Sequence, residues 1–163
     1  MSQGFLFVLT CLSALGAGVV AGSLFAFSAF VMKALARLPP AQGLLAMQSI
    51  NVEAVTPAFM SVLFGTAATS LWVAVAALRS WETPGARYLL LGGVLYVVGV
   101  IGVTAAFNVP RNNALAALDP AGAEAASLWA RYVSGWTAWN HVRVLSALGA
   151  ATAFLLALRS APG

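Results

Sequence analysis

The chain has 163 residues, of which 61% are hydrophobic and only 7% charged, with a mean hydropathy of +0.93. Soluble domains carry about a quarter charged residues, so this composition excludes that class and indicates an integral membrane protein. The net charge of +4 fits cations at membrane edges and not a nucleic-acid surface. The single cysteine, Cys11, leaves no intrachain disulfide and no thiolate metal site.

The first apolar run, 5–32, carries no charge and is long enough to cross a bilayer with tilt. No basic stretch precedes it, so it reads as a retained helix and not a signal peptide. Ala14, Gly18, Gly22 and Ala26 recur every four residues, and this small-residue stripe is expected to pack against another helix. Lys33, Arg37 and the pair Pro39-Pro40 end the helix. The segment 41–55 then offers an apolar face of Leu44, Leu45, Met47 and Ile50, with Gln48, Asn51 and Glu53 as polar groups. It is expected to lie at the interface or to tuck back between helices.

A second span is expected over 54–78, followed by a turn-rich loop between Arg79 and Arg87 that carries the interfacial Trp81. The third, 88–107, contains Gly92, Gly93, Gly99 and Gly102 and should pack tightly. It leads into Asn108-Val-Pro-Arg-Asn-Asn113, where Pro110 marks a kink or a helix start. An Ala-rich connection follows, expected to be helical after Pro120 and to lie near the surface. The fourth span is expected over 139–158. The apolar runs are long and do not alternate, which argues against strands, since a spanning sheet must close on itself. The predicted fold is therefore all-α: a transmembrane four-helix bundle with short interfacial helical segments in the first and third connections, forming one membrane domain over 1–163.

Four spans place both termini and the 79–87 loop on one side of the membrane. Gln48, Asn51, Glu53, Asn108, Arg111, Asn112, Asn113, Asn140, His141 and Arg143 then converge on the other. Arg79, Arg87 and Arg159 mark the terminal side, and Lys33, Arg37, Arg111, Arg131 and Arg143 the opposite side. A raw count makes the polar side cytoplasmic, but setting aside Arg111 and Arg143 as site residues balances the tally, so orientation stays open. Trp136, Asn140 and Arg143 are spaced i, i+4, i+7 and share a helical stripe, with Thr137 and His141 on a second stripe about a hundred degrees away.

His141, the only histidine, could serve as a general base, because imidazole titrates near neutral pH. It could equally be an axial haem ligand or a structural hydrogen-bond donor. A protein-ligated metal would have only Glu53 and His141 to draw on, short of the three or more ligands that zinc and copper usually take. Arg143 and Arg111 could stabilise an enolate or phenolate oxygen, or snorkel to headgroups. Trp129, Trp136 and Trp139 could wall a pocket for a flat aromatic ligand or form an interfacial belt. Asn108, Asn112, Asn113 and Asn140 are costly near a span unless paired, whether by a ligand or by an interhelical network.

Four motifs occur in order: Phe25-Ala-Phe-Ser-Ala-Phe-Val-Met32; Ala46-Met-Gln-Ser-Ile-Asn51 with Pro57-Ala-Phe-Met60; Asn108-Val-Pro-Arg-Asn-Asn113; and Trp136-Thr-Ala-Trp-Asn-His-Val-Arg143. Together they resemble the anthrone-oxygenase-like family of small four-helix membrane proteins, from about Gly18 to Leu148. One departure is Lys33, where the pattern leads one to expect proline. The resemblance implies an enzyme that oxidises a flat phenolic, anthrone-like apolar substrate with dioxygen. On that expectation His141 removes an acidic C–H proton, and Asn140 and Arg143, with Asn112, hold the resulting enolate oxygen. Trp136, Trp139, Asn108, Arg111, Asn112, Asn113, Gln48 and Asn51 would contact the substrate. No cofactor is expected on this reading. The alternatives are a redox protein with a haem or metal ion at His141 (with Glu53), or a non-catalytic binding or scaffold protein. Expected partners are the lipid bilayer and an apolar aromatic small molecule, with no nucleic acid. Glycine-rich faces allow a homo-oligomer, and the expected location is multi-pass in a bacterial cytoplasmic membrane.

Overall fold

The structure is a computed structural model and describes residues 3–160. Those residues form helices and connections, without a strand. Four helices are long and apolar enough to cross a membrane: α1 (Gln3–Leu35), α3 (Pro57–Arg79), α4 (Ala86–Ala116) and α5 (Ala125–Ser160). A shorter helix, α2 (Pro40–Glu53), fills the first connection. The chain is a multi-pass membrane protein, with α1 packed on α5 and α3, and α4 packed on α3 and α5, in an up-down-up-down ring.

Local chemistry sets the ends. Pro40 and Pro57 sit at the first helical positions of α2 and α3, where a missing N–H costs nothing, and the Thr56 hydroxyl accepts from Phe59 N at 3.2 Å as the cap of α3. Gly85, at φ +86°, reverses the chain into α4, and a side chain there would also press on the Ala157 carbonyl. Asp119 Oδ1 accepts from Ala121 N at 2.9 Å and tightens the turn before α5.

The third and fourth helices run further than the apolar runs suggest. α4 continues through Pro110 to Ala116, because the backbone ahead of the proline is already widened into π turns over Leu95–Gly102 and Thr104–Asn108. The helical segment expected after Pro120 is present but continuous with the last span, so α5 reaches about 54 Å in length. These extensions, with α2 and the end of α1, build a cap beyond the bundle. Its core of Met32, Leu35, Leu44, Met47, Leu115, Trp129, Tyr132 and Trp136 is separate from the bundle core around Val20, Val73, Tyr96, Val100 and Phe154.

The expected packing role of Gly18 and Gly22 is corrected. Both are exposed, and a side chain on either would meet nothing within 4 Å. α1 instead buries Ser13, Ala14, Ala17, Val20 and Ala21. In α4, Gly92, Gly93 and Gly99 do lie against Phe154, Ala74 and Ser146 respectively, whereas Gly102 has only a carbonyl of its own helix near it.

Candidate functional site

The junction of the two cores is polar. Asn140, fully buried on α5, donates its amide to the Leu24 carbonyl at 2.7 Å and to Ser28 Oγ at 2.6 Å, both on α1. Its Oδ1 accepts from Arg143 Nη2 at 2.6 Å, and Arg143 Nη1 reaches Thr104 Oγ1 on α4 at 3.3 Å. Asn108 donates to the Trp136 carbonyl at 3.2 Å, and the Arg143 guanidinium lies 5.1 Å from the Trp136 ring centre. Both partner helices are unwound at this level: α1 makes a π turn over Phe27–Val31, immediately after the carbonyl that Asn140 engages, and α4 has its π turns around Thr104. A side chain inserted into the helical ladder is a known cause of such widening, and π turns concentrate at functional sites.

Arg143 is only 6% exposed, yet no carboxylate among the described residues is placed to neutralise it. The four acids, Glu53, Glu82, Asp119 and Glu124, are all exposed and lie outside the four spans. A buried guanidinium without a counter-charge is costly. Its own Nε and two further polar atoms of this junction, Trp136 Nε1 and Asn108 Oδ1, have no hydrogen-bond partner among the described residues.

His141 lies elsewhere. Its side chain is exposed, on the outer wall of a groove of about 380 Å³ between α1 and α5, together with Thr137, Ala138, Ser28, Met32 and Lys33. His141 does not join Asn140 and Arg143 in the buried network: one residue along a helix turns by about a hundred degrees, which puts His141 on the Thr137 stripe. Ser28 belongs to both environments, lining the groove and accepting from Asn140. Thr137 on the same wall keeps its Oγ1 buried and unpartnered. A larger cavity of about 450 Å³ opens at the opposite end of the bundle, among Phe7, Thr10, Ala77, Leu89 and Leu158, but its lining includes no titratable side chain.

The remaining candidates divide between cap and surface. Tyr132 donates to Asn112 Oδ1 at 2.9 Å, with Asn51 beside its hydroxyl and the Asn51 amide nitrogen buried without a partner. This places Asn112 in the cap, with a phenol as its partner instead of the Asn140–Arg143 pair. Gln48 Nε2 donates to the carbonyls of Leu115 (2.9 Å) and Leu118 (3.2 Å), closing the end of α4. Arg111 caps the Phe107 carbonyl at 2.7 Å and lies across Gly135. Trp139 stacks on Phe107, with ring centres 3.5 Å apart. Asn113 and Glu53 are exposed and join neither cluster. Among the described residues no three His, Cys, Asp or Glu side chains gather as a metal-ligand set, so a Glu53–His141 metal site lacks a third protein donor.

Ser28, Thr104 and Tyr132 are contributors that reading the sequence for site residues passes over. Hydroxyls inside apolar helices usually bond their own preceding turn, as Thr104 also does to Val100 O, and so give no outward signal.

Comparison with curated proteins and with solved structures finds no match. The family model described as Anthrone oxygenase matches residues 56–153, more than half of the chain and the whole of α3 and α4. With four apolar helices and the matched segment carrying Asn108, Trp136, Asn140, His141 and Arg143, the chain belongs to the anthrone oxygenase family.

Proposed function

We propose that the protein oxidises a flat, phenolic, anthrone-like molecule taken from the bilayer, in the groove between α1 and α5. The observation that carries this reading is the hydrogen-bonded chain Arg143–Asn140–Ser28, which links a buried, carboxylate-free cation to the groove wall beside His141. Cooperative polarisation along such a chain makes the Ser28 hydroxyl a better donor to an oxyanion than an isolated serine, and low surrounding polarity strengthens the effect. His141 takes a proton from the methylene between two aromatic rings, and the negative charge passes across the central ring to the carbonyl oxygen, held at Ser28. Asn140 and Arg143 act behind it as positioning residues. The electron-rich carbon reacts with dioxygen, the peroxide formed takes back the proton from His141, and the resulting hydroperoxide loses water, so that one methylene and one dioxygen give one ketone and one water. Dioxygen is the oxidant, and the methylene carbon is oxidised to a carbonyl.

The test is dioxygen uptake by purified protein with anthrone as substrate, comparing wild type with His141→Ala and His141→Gln. Loss of a positioned general base lowers the rate by about 100-fold or more, while the exposed position of His141 leaves thermal stability unchanged. Uptake equal to wild type in both variants overturns the reading. A Soret band that disappears in His141→Ala would assign the residue to haem instead.

A further inference from the structure

Lys33 is the one charged side chain among the residues lining the groove. Ser28 and Lys33 are five residues apart on α1, and the π turn over Phe27–Val31 between them puts Lys33 about one turn closer to the cap on the same face. The α5 wall runs antiparallel from Val133 at the cap end to His141 at the deep end, about 12 Å. The groove is therefore polarised: the imidazole and the Ser28 hydroxyl lie at its deep end, apolar Met32 and Ala138 between, and one ammonium toward the membrane surface. In a linear three-ring system the reacting methylene lies in the central ring, so with that carbon at His141 and the long axis along the groove one outer ring lies toward Lys33, whose flexible side chain spans the remaining distance.

We propose that Lys33 is a specificity-determining residue, and that the groove takes a flat fused-ring molecule bearing an anionic substituent, a carboxylate or an ionised phenol, on one of its outer rings. This rests on the groove being the substrate site. It follows from charge complementarity, since Lys33 is a flexible point charge able to reach an anion at the rim without a fixed geometry.

The experiment measures binding, so it is independent of the oxygenase chemistry. Anthracene-2-carboxylate and 2-hydroxymethylanthracene are titrated by fluorescence against the full chain in nanodiscs of phosphatidylcholine alone, at constant pH and moderate salt. The carboxylate is expected to bind about fivefold more tightly, the range of a partly exposed ion pair, with the preference shrinking at high salt. In Lys33→Gln the two probes bind alike and the neutral probe keeps its wild-type affinity. Equal affinities in the wild type, or a carboxylate preference that survives in Lys33→Gln, overturn the proposal. Ala138→Trp, at an exposed position of the groove wall, separates the two levels. If it leaves both probes bound as before, the groove is not the site and both readings fall. If it removes both while the wild type shows no preference, only the role of Lys33 falls.

Discussion

The 2.6 Å hydrogen bond from Asn140 Nδ2 to Ser28 Oγ is the one direct link between the buried polar junction and the groove that holds His141. Ser28→Ala removes that link while leaving Asn140 bonded to the Leu24 carbonyl and to Arg143. The expected stability loss is about 0.6 kcal/mol, the average for such bonds between membrane helices, against a fall of about tenfold or more in anthrone-dependent oxygen uptake. Asn140→Leu behaves differently, since it strands both a helix carbonyl and a guanidinium, and costs about 1–3 kcal/mol. Thermal unfolding in detergent beside oxygen uptake distinguishes the two. If Ser28→Ala proves fully active, the groove wall does not work through that hydroxyl.

Arg143 poses the opposite test. A buried cation with no carboxylate to pair it contributes little to stability, so Arg143→Met is expected to unfold at the same temperature as wild type or higher. Oxygen uptake in the same variant falls, because the charge behind Asn140 and Ser28 is gone. Arg143→Lys restores charge without the planar fork that reaches Asn140 and Thr104 together, and recovers only part of the rate. A large drop in stability for Arg143→Met with normal turnover would make the residue purely structural.

Much of the fold is legible in the residue pattern because bilayer thickness imposes run length, and prolines and arginines end the runs. The stripe of Trp136, Asn140 and Arg143 follows from helical periodicity alone, and all three are buried. Which neighbouring stripe turns inward is not legible, since in a membrane the outward face is as apolar as the core and burial has no compositional mark. Hence His141, one residue from Asn140, belongs to a different environment, and Gly18 and Gly22 give the same small-residue signal as the buried Ala17 and Ala21. The π turns are equally silent. They lie beside contacts made across the bundle, Asn140 on the Leu24 carbonyl of α1 and Arg143 on Thr104 of α4.

Two glycine substitutions test that distinction. A methyl group at Gly93 would sit 2.8 Å from the Ser70 carbonyl oxygen, a backbone atom that cannot swing aside, so Gly93→Ala is expected to cost about 1–3 kcal/mol. At Gly18 the same methyl meets nothing, and Gly18→Ala should stabilise α1 by up to about 1 kcal/mol through helix propensity. Unfolding midpoints of the two variants in the same detergent are compared directly. Destabilisation by Gly18→Ala would mean that this face is covered, by a second copy or another partner.

Gln48 separates a cap that shapes the site from one that touches the substrate. Its amide closes the last turn of α4 by holding the Leu115 and Leu118 carbonyls, and it is not one of the residues lining the groove. Gln48→Leu keeps the apolar packing of α2 but leaves two carbonyls uncapped, an expected loss of about 1–2 kcal/mol confined to the cap. Hydrogen exchange should then quicken in the turn around Leu118 and Ala121, while exchange in α1 and α3 and the KM for anthrone stay at wild-type values. A raised KM with unchanged exchange would place Gln48 against the substrate and move the binding site from the groove into the cap.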